Sequence, residues 1–337
     1  MSKKLVVAVV GATGNVGHEV LNYLHDRQFP VSKVIALASE NSVGKSVSFG
    51  NESMPVLDLR HFDFKGVDIA FFCVGSEISR KYAKDAVAKG CTVIDKSSLY
   101  RLDKDVPLIV PEANIDKLIE IRGKPSIISN PNCCVIPLVV ALNPLHNAAK
   151  IKRVVVSTYQ SVSGAGKTAM DELYMQTKAK FIFEELKPKM FPTQIAFNLF
   201  PHVGEFDQNG STDEELKVQE EVKKIISKNI KLSVTCVRVP VFVSHSLSVN
   251  VEFENELSAK EVEEILRESD GISVNSIGNE VKYTTPIDAT GNDEVFVSRI
   301  RDDLSLKNAI NLWICADNLR KGAALNAVQI AETLIEG

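Results

Sequence analysis

The sequence lacks the features that mark nucleic-acid-binding, secreted and membrane proteins. Its 39 Lys and Arg residues are outnumbered by 43 Asp and Glu residues, so the net charge is −4 and the basic excess that nucleic acid requires is missing. No segment reaches the roughly 20 apolar residues that cross a bilayer. The first apolar run, which ends at Gly11, has no cleavage signature of a signal peptide. We therefore expect a cytoplasmic protein that binds neither nucleic acid nor membranes.

Cysteine is present, but not in the patterns of disulfide scaffolds or metal sites. No two cysteines are spaced as Cys-x-x-Cys, and none lies at finger-like spacing from a histidine. Several lie inside apolar runs, as buried free thiols do. The six are Cys73, Cys91, Cys133, Cys134, Cys236 and Cys315. We expect neither a disulfide framework nor a bound metal.

The first 130 residues alternate between strand and helix patterns. Leu5 to Val10 is an unbroken aliphatic run, typical of a strand buried on both faces of a parallel sheet. The other predicted strands are Val34–Ala38, Val67–Val74 and Cys91–Asp95, and the predicted helices follow Val16 and cover Ser79–Lys89. This alternation predicts a doubly wound α/β domain, and the chain of 337 residues is long enough for a second domain.

The pattern changes after Asn130, where strands become longer and helices fewer. The predicted strands are Arg153–Tyr159, Leu232–Val243, Ser246–Phe253 and Glu294–Ile300, and the predicted helices are Val135–Asn143, Asp213–Ser227 and Ala259–Glu268. This order favours a mixed sheet with helices on one face, that is, an α+β domain. The last segment, Asn318 to Glu336, has a helical pattern.

Three glycines follow the first predicted strand and suggest a phosphate-binding turn. Gly11, Gly14 and Gly17 come between that strand and a helix, where glycine allows a tight turn and close backbone approach to a pyrophosphate. A purely structural turn is the alternative. Glu40, after the second strand, would accept from a ribose 2′-hydroxyl or be a solvated loop charge, whereas Lys45 could favour a 2′-phosphate. The residues alone leave NAD and NADP open.

A pair of cysteines at a predicted helix start forms a candidate nucleophile. A thiolate at a helix N-terminus is stabilised by the helix dipole, so Cys133 or Cys134 could attack a carbonyl, although both could also be structural. Spacing does not say which thiol is the reactive one. His245, between two predicted strands, is a candidate acid/base, and Arg238 is a candidate carboxylate anchor.

Four segments together resemble those of the aspartate-semialdehyde dehydrogenase family. They are Asn130–Cys133, Thr158–Gly166, Arg238 with His245, and Asp317–Ala324, and the similarity runs in register from about Val7 to Glu332. The resemblance implies NADP- and phosphate-dependent interconversion of L-aspartate 4-semialdehyde and 4-phospho-L-aspartate, a step in lysine, threonine and methionine biosynthesis. It also implies a homodimer. Each chain would have a Rossmann domain, residues 1–132 completed by a C-terminal helix 318–337, and a catalytic and dimerisation domain, residues 133–317.

The same resemblance implies a role for each matching residue. Cys133 is the expected acyl-thioester nucleophile, His245 the acid/base, and Gln160 helps to place the substrate. Arg238 is expected to bind the substrate carboxylate and Glu214 its ammonium group. The expected phosphate-binding residues are Arg101, Asn132 and Lys217. The expected cofactor-binding residues are Gly11, Thr13, Gly14, Asn15, Val16, Gly17, Asn41, Ser42, Ser163, Gly164 and Asn318. Glu214 and Lys217 could alternatively form an ordinary i, i+3 helix pair.

One departure from the family and two rival functions remain open at the level of sequence. Asn41 stands where family members commonly carry an arginine, so we expect NADP to be used with reduced discrimination against NAD. One rival is another acyl-phosphate reductase, such as N-acetyl-glutamyl-phosphate reductase, whose acetylated substrate would leave Glu214 without an ammonium partner. The other is a non-catalytic dinucleotide-binding paralogue, against which the presence of Cys133, Gln160, Arg238 and His245 argues.

Overall fold

The structure, a computed structural model, describes residues 4–276, 278, 280 and 282–335. The strands are β1 (Leu5–Val10), β2 (Val31–Ala38), β3 (Ser46–Phe49), β4 (Glu52–Asp58), β5 (Ile69–Phe72), β6 (Thr92–Asp95), β7 (Ile127–Ser129), β8 (Ile151–Gln160), β9 (Lys231–Arg238), β10 (His245–Phe253), β11 (Ile272–Asn275), β12 (Val295–Asp302) and β13 (Ala309–Ala316). The helices are α1 (Asn15–Asp26), α2 (Ser76–Ala88), α3 (Pro111–Asn114), α4 (Asp116–Ile119), α5 (Val135–Ala149), α6 (Lys167–Phe181), α7 (Asp213–Ile225), α8 (Ala259–Arg267), α9 (Pro286–Ala289) and α10 (Leu325–Ile335). None of the helices within these residues is long and apolar enough to cross a membrane.

The chain divides into two compact units. The first contains Met1–Asn132 with Ala323–Gly337, and the second contains Cys133–Gly322. The predicted C-terminal helix 318–337 therefore divides differently from the expectation, because residues 318–322 lie in the second unit. Its last residues, 336 and 337, lie outside the described residues, as do residues 1–3 at the start of the chain.

The first unit is built on a largely parallel sheet, which confirms the predicted doubly wound fold. Within the described residues its seven strands run in the order β3-β4-β2-β1-β5-β6-β7, and only the β3–β4 pair is antiparallel. β1 lies between β2 and β5, so the chain leaves β1 in both directions across the sheet, and ligands of such folds bind beside this switch point. β1 is almost wholly buried, as its aliphatic sequence predicts.

The second unit contains the predicted mixed sheet. Its six strands, within the described residues, run in the order β11-β12-β13-β10-β8-β9. β10 pairs antiparallel with both β8 and β13, while β8 and β9 run parallel. α5 packs against α7 and α8 and contacts the central strands, and α7 and α8 contact the strands at the two edges. This arrangement puts the carboxyl ends of β8 and β9 beside the start of β10.

Two sequence predictions are wrong at boundaries that matter for the site. The strand predicted to run to Val243 ends at Arg238, because Pro240 has no amide hydrogen and the chain turns before Ser244, whose φ is +76°. The helix predicted from Asn318 begins only at Leu325, after a π-helical turn at Arg320–Ala324. Asp317 causes the delay in part, since its carboxylate accepts the amides of residues 319 and 320 and holds a turn there.

Candidate active site

The turn after β1 depends on two glycines. Gly11 has φ +83°, and a Cβ at this position would lie 2.5 Å from the carbonyl oxygen of Cys73. Gly17 lies in the first turn of α1, where a Cβ would be 2.2 Å from the carbonyl oxygen of Gly11. Side chains cannot occupy either place without moving backbone. The absence of both Cβ atoms lets strand, turn and helix approach as closely as a pyrophosphate site requires.

A cavity of about 440 Å³ lies against this turn. Its walls come from the glycine turn, the residues after β2, the turn after β4 and the first half of α2. The predicted cofactor residues among them are Gly11, Thr13, Gly14 and Asn41. Thr13 Oγ1 lies 3.3 Å from Ser42 Oγ, and Asn15 and Val16 open α1. A cavity at the switch point of the sheet, beside a turn that only glycine can make, fits a dinucleotide.

An ion-pair cluster lines one side of that cavity. Arg60 lies in the short turn after β4 and pairs with Glu40, while its Nε and a second guanidinium nitrogen donate to Asp58 at 3.1 and 2.8 Å. The side-chain and backbone hydrogen bonds from Arg60 lower the pKa of the Asp58 carboxyl to about 2. The hydrogen bonds to Asp58 correspondingly raise the pKa of Arg60 above its ordinary value. Glu40, expected from the sequence to accept from a ribose 2′-hydroxyl or to be a solvated loop charge, therefore has a cationic partner.

The two adjacent cysteines lie in different environments. Cys133 is half-buried and its Sγ lies 3.2 Å from Nε2 of His245, whereas Cys134 is completely buried at the N-cap of α5. Burial raises the pKa of the Cys134 thiol well above its ordinary value, and the neighbouring Cys133 adds to the rise. Cys134 Sγ also accepts a hydrogen bond from Gln160 Nε2 at 2.8 Å. The geometry therefore distinguishes the two thiols, which their spacing could not do.

His245 is oriented by the residue that follows Gln160. The backbone N–H of Ser161 donates to His245 Nδ1 at 3.1 Å, and Ser161 Oγ lies at the same distance. Because Nδ1 accepts from an amide, the neutral imidazole carries its hydrogen on Nε2, which faces Cys133. When the ring is protonated on both nitrogens, Ser161 Oγ can accept from Nδ1. The ring can thus donate to the sulfur and also hold a second proton.

Asn318 joins three loops behind this histidine. Its Oδ1 accepts hydrogen bonds from Ser161 Oγ at 3.2 Å, Ser163 Oγ at 3.0 Å and the amide of Ser244 at 2.8 Å. A Cβ on Gly164 would lie 3.4 Å from the His245 ring, so this predicted cofactor residue also adjoins the histidine. Ser163, Gly164 and Asn318 therefore cluster around His245 within the second unit.

Gln160 and Glu214 form the polar wall beside the thiols. Gln160 Nε2 donates to Glu214 Oε1 at 3.1 Å, and Gln160 Oε1 is buried with no hydrogen-bond partner among the described residues. Arg238, at the end of β9, is 7% exposed and donates to the carbonyl oxygen of Ser161 at 2.7 Å. Burial lowers the pKa of Arg238 from its ordinary value. A buried amide oxygen, a carboxylate and a guanidinium thus occur beside the thiols.

The predicted phosphate residues lie in different parts of the molecule. Lys217 Nζ pairs with Asp213 on the same helix and lies 3.8 Å from Glu214 Oε2, so the expected i, i+3 contact is present but an i, i+4 pair is closer. Arg101 is 7% exposed and donates to the backbone carbonyls of Asn130 and Lys96 in the first unit. Asn132 is buried directly before the half-buried cysteine.

Three potential metal ligands meet at the thiols. One donor atom each from Cys133, Cys134 and His245 lies within 4.8 Å of the others. A structural zinc site uses four protein ligands, and Cys134 Sγ already accepts from Gln160. The absence of a metal stays a prediction. The other four cysteines offer no rival nucleophile, because burial raises the pKa of Cys73, Cys91 and Cys236 to about 12 and that of Cys315 to about 11.

Ser161 and Arg60 are among the residues of these sites that received no role from sequence reasoning. Ser161 belongs to the segment that carries the family resemblance, and its place next to Gln160 was the available signal. Arg60 had no such signal, because its approach to Glu40 follows from the pairing of β2 with β4.

Comparison with known proteins agrees with this architecture. Family models match residues 6–121, described as a semialdehyde dehydrogenase NAD-binding domain, and residues 142–321, described as a semialdehyde dehydrogenase dimerisation domain. A protein named aspartate-semialdehyde dehydrogenase from Rickettsia bellii is 59% identical over 336 residues, covering 100% of this chain and 99% of the relative. Another with that name, from Aquifex aeolicus, is 48% identical and covers 98% of each chain.

The chain belongs to the aspartate-semialdehyde dehydrogenase family. The fold agrees: the crystal structure of aspartate semialdehyde dehydrogenase II complexed with ASA, from Vibrio cholerae, superposes with a TM-score of 0.95 at 44% identity and covers 99% of both chains. The resemblance predicted from the motifs is confirmed, and the main function is supported over the acetylglutamyl alternative. The NAD-binding domain model also supports a nicotinamide dinucleotide as cofactor.

Proposed function

We propose that the protein interconverts L-aspartate 4-semialdehyde and 4-phospho-L-aspartate through a thioester on Cys133, with phosphate as co-substrate and NADP as the preferred cofactor. The observation that carries the proposal is the 3.2 Å contact between Cys133 Sγ and His245 Nε2 in a chain of this family. A thiol that contacts an oriented imidazole is the arrangement that covalent acyl transfer needs. The reaction belongs to lysine, threonine and methionine biosynthesis.

In the oxidative direction, Cys133 attacks the aldehyde as a thiolate after its thiol proton has been released to solvent, and His245 acts on the reacting atoms as a hydrogen-bond donor. The Nε2–H of the neutral ring stabilises the Cys133 thiolate, and as the sulfur bonds to the carbonyl carbon this hydrogen is next to the developing oxyanion. A bound nicotinamide dinucleotide supplies or accepts the hydride that relates the aldehyde and acyl oxidation levels. Phosphate then attacks the thioester carbonyl, the C–S bond breaks, and the thiolate returns to its contact with His245.

Charged side chains match the charged ends of the substrate. Arg238 binds the α-carboxylate, for which a guanidinium offers two parallel donors. Glu214 binds the ammonium group, and the unpartnered Gln160 Oε1 is a further acceptor for it. Lys217, Arg101 and Asn132 hold the phosphate, with Lys217 exchanging Asp213 for the incoming anion. An acetylated amine would have no charge for Glu214 to bind.

The cofactor lies along the glycine turn. The backbone amides of the turn at Gly11 and Gly17 donate hydrogen bonds to the pyrophosphate at the N-terminus of α1. Thr13, Gly14, Asn15 and Val16 belong to the same binding surface. Asn41 and Ser42 serve the adenosine ribose, and Ser163, Gly164 and Asn318 serve the nicotinamide end. This division assigns the pyrophosphate and adenosine part of the cofactor to residues 1–132, the domain that the C-terminal helix completes, and assigns the nicotinamide end and catalysis to the remainder.

The second unit also carries a surface that supports a homodimer. Between residues 174 and 206 many large apolar side chains are exposed, including Phe183 at 98%, Phe181 at 73% and Phe197 at 67%. Exposed apolar groups in such number on one segment mark an interaction surface. Since this segment lies inside the part matched by the dimerisation-domain model, a second copy of the chain is the proposed partner. We place the enzyme in the cytoplasm.

The proposal is tested by turnover of the purified protein. With aspartate semialdehyde, phosphate and NADP, reduced cofactor should accumulate, and omission of phosphate should abolish net turnover. N-acetyl-glutamate semialdehyde is the matched control, because it lacks the ammonium that Glu214 binds. Equal turnover of the acetylated substrate would contradict the substrate assignment, and no turnover with any aldehyde would leave only a dinucleotide-binding protein.

A further inference from the structure

The cavity beside the glycine turn contains an arginine that the family resemblance does not account for. The resemblance leads us to expect an arginine at position 41, but the chain has Asn41 there. Arg60, from the turn after β4, lines the same cavity together with Asn41, Glu40 and Ser39. A positively charged side chain therefore lies beside the end of β2, although position 41 does not supply it.

The sheet explains why Arg60 arrives at this place. β2 and β4 pair in parallel, and Ala38 is in register with Asp58, so both strands end at the same edge of the sheet. The residues that follow them, Ser39 and Glu40 on one side and Leu59 and Arg60 on the other, therefore adjoin. In folds of this type the group after the second strand faces the adenosine ribose, and an arginine nearby accommodates a 2′-phosphate.

The guanidinium of Arg60 is held by one edge. Nε and one terminal nitrogen donate to Asp58, whose Oδ1 also accepts the amide of Arg60 at 2.9 Å. The other terminal nitrogen pairs with Glu40. Asp58 thereby fixes the planar group, while Glu40, with a side chain that is 60% exposed, is the more easily displaced partner.

We propose that Arg60 receives the 2′-phosphate of NADP in place of the arginine missing at position 41, and that Glu40 competes with this phosphate for the guanidinium. The proposal rests on the proposed use of a nicotinamide dinucleotide by this enzyme. With NADP, the 2′-phosphate replaces Glu40 on the edge of the Arg60 guanidinium that does not contact Asp58. With NAD, Glu40 keeps its ion pair and can accept from the ribose 2′-hydroxyl. Lys81, which also lines the cavity, supplies a second positive charge.

The Arg60–Glu40 pair would therefore allow both NADP and NAD to bind and set the ratio of the two affinities. An acid at the end of β2 normally repels a 2′-phosphate. Here the acid is neutralised before the cofactor arrives, and a phosphate dianion is a stronger partner for a guanidinium than a single carboxylate is. Arg60 favours NADP and Glu40 opposes it.

The test measures binding of two adenosine nucleotides, independently of turnover. Adenosine 2′,5′-bisphosphate carries the 2′-phosphate and adenosine 5′-monophosphate lacks it, and calorimetry gives the dissociation constant of each. In Arg60→Gln the bisphosphate should bind about 10-fold more weakly or worse, with less than about a twofold change for the monophosphate. Glu40→Gln should tighten the bisphosphate about threefold by removing the competitor.

Two further variants make the test specific. Arg80→Gln removes the same charge from an exposed position of α2 that does not line the cavity, and it should leave both nucleotides unchanged. Asn41→Arg placed in the Arg60→Gln protein should restore bisphosphate binding, since it returns a guanidinium to the position where the family has one. Thermal unfolding of every variant checks that the fold is intact.

An equal loss of both nucleotides in Arg60→Gln, or no loss of either, would overturn the role of Arg60. A change as large in Arg80→Gln would overturn it as well, because the effect would then be one of general charge. The proposed function has a separate test: a parent protein that binds adenosine nucleotides as expected but converts no aspartate semialdehyde loses its proposed activity, while the assignment of Arg60 stands.

Discussion

The turn after β1 and the cysteine pair before α5 both connect a strand to a helix, yet they are built in opposite ways. The first depends on missing side chains, since a Cβ on Gly11 or Gly17 would overlap backbone at 2.5 or 2.2 Å. The second depends on side chains that contact one another, such as Cys133 with His245 at 3.2 Å. A backbone site should fail when atoms are added, and a side-chain site should fail when atoms are removed.

The two regions also differ in how far along the chain their parts are gathered. The glycines of the first lie within seven positions of one another. The amide of Ser161 and the His245 ring are 84 positions apart, and Ser163 and Asn318 are 155 apart. The first region is therefore a local motif, whereas the second exists only after β8, β9 and β10 have paired.

The largest effect is expected from removing the reactive sulfur. Cys133→Ala should lower kcat by about 10⁴-fold or more and abolish the covalent acyl-enzyme, because no other group can form the thioester. Iodoacetamide at neutral pH should label Cys133 and spare Cys134, whose pKa burial raises well above its ordinary value. Mass spectrometry of the trapped acyl-enzyme and of the alkylated peptide identifies the cysteine that carries the acyl group and the cysteine that is alkylated. An acyl group found on Cys134 would reverse the assignment.

Adding one methyl group to the backbone site should come next. Gly17→Ala puts a Cβ 2.2 Å from a carbonyl oxygen, so we expect a loss of about 3 kcal/mol in the free energy of unfolding and weaker cofactor binding. Gly75→Ala is the control, since Gly75 is the N-cap of α2 and a Cβ there has no atom within 4 Å. Urea denaturation measures both variants. Equal stabilities would show that the turn adapts and that glycine is not required.

Removing the positive charge of Lys217, which is proposed to bind phosphate, should have a smaller effect. Lys217→Met should raise the KM for phosphate in the oxidative direction by about 10- to 100-fold, corresponding to about 1.5–3 kcal/mol for one charge-assisted contact. The KM for the aldehyde should change much less. Lys223→Met, which breaks a comparable ion pair with Glu220 on the same helix, is the control. If the two variants behave alike, Lys217 does not hold phosphate.

The smallest effect is expected at Ser161, where a backbone amide is part of the side-chain site. This variant therefore tests how sharply the two kinds of site differ. Ser161→Ala removes the hydroxyl beside His245 but keeps the amide that donates to Nδ1. One neutral hydrogen bond corresponds to about 0.5–1.5 kcal/mol, so kcat should fall about 3- to 10-fold. A loss as large as that of Cys133→Ala would mean that the hydroxyl takes part in the chemistry.

The sequence predicted most of the site residues but few of the distances between them. Arg238 and His245 were named as candidates from their residue types and positions, and Gln160 and Glu214 from the family resemblance. The hydrogen bonds of these residues could not be read from the chain. The overlong strand prediction to Val243 shows the limit: its β-branched residues favour a strand, while Pro240 and the contacts around Ser244 end it at Arg238. Propensity is a local quantity, and tertiary contacts override it.

What the sequence by itself determined is the chemistry that a short segment carries: an aliphatic strand before Gly11, a thiol before a helix, and the motifs that place the chain in its family. The tertiary structure alone decided which thiol faces His245, which tautomer the ring adopts and which cation reaches Glu40. The reason is physical. A glycine requirement or a helix start depends on the backbone of a few neighbouring residues, whereas burial of Cys134, the Ser161 amide at His245 and the pairing of Arg60 with Glu40 depend on strands that meet across a sheet.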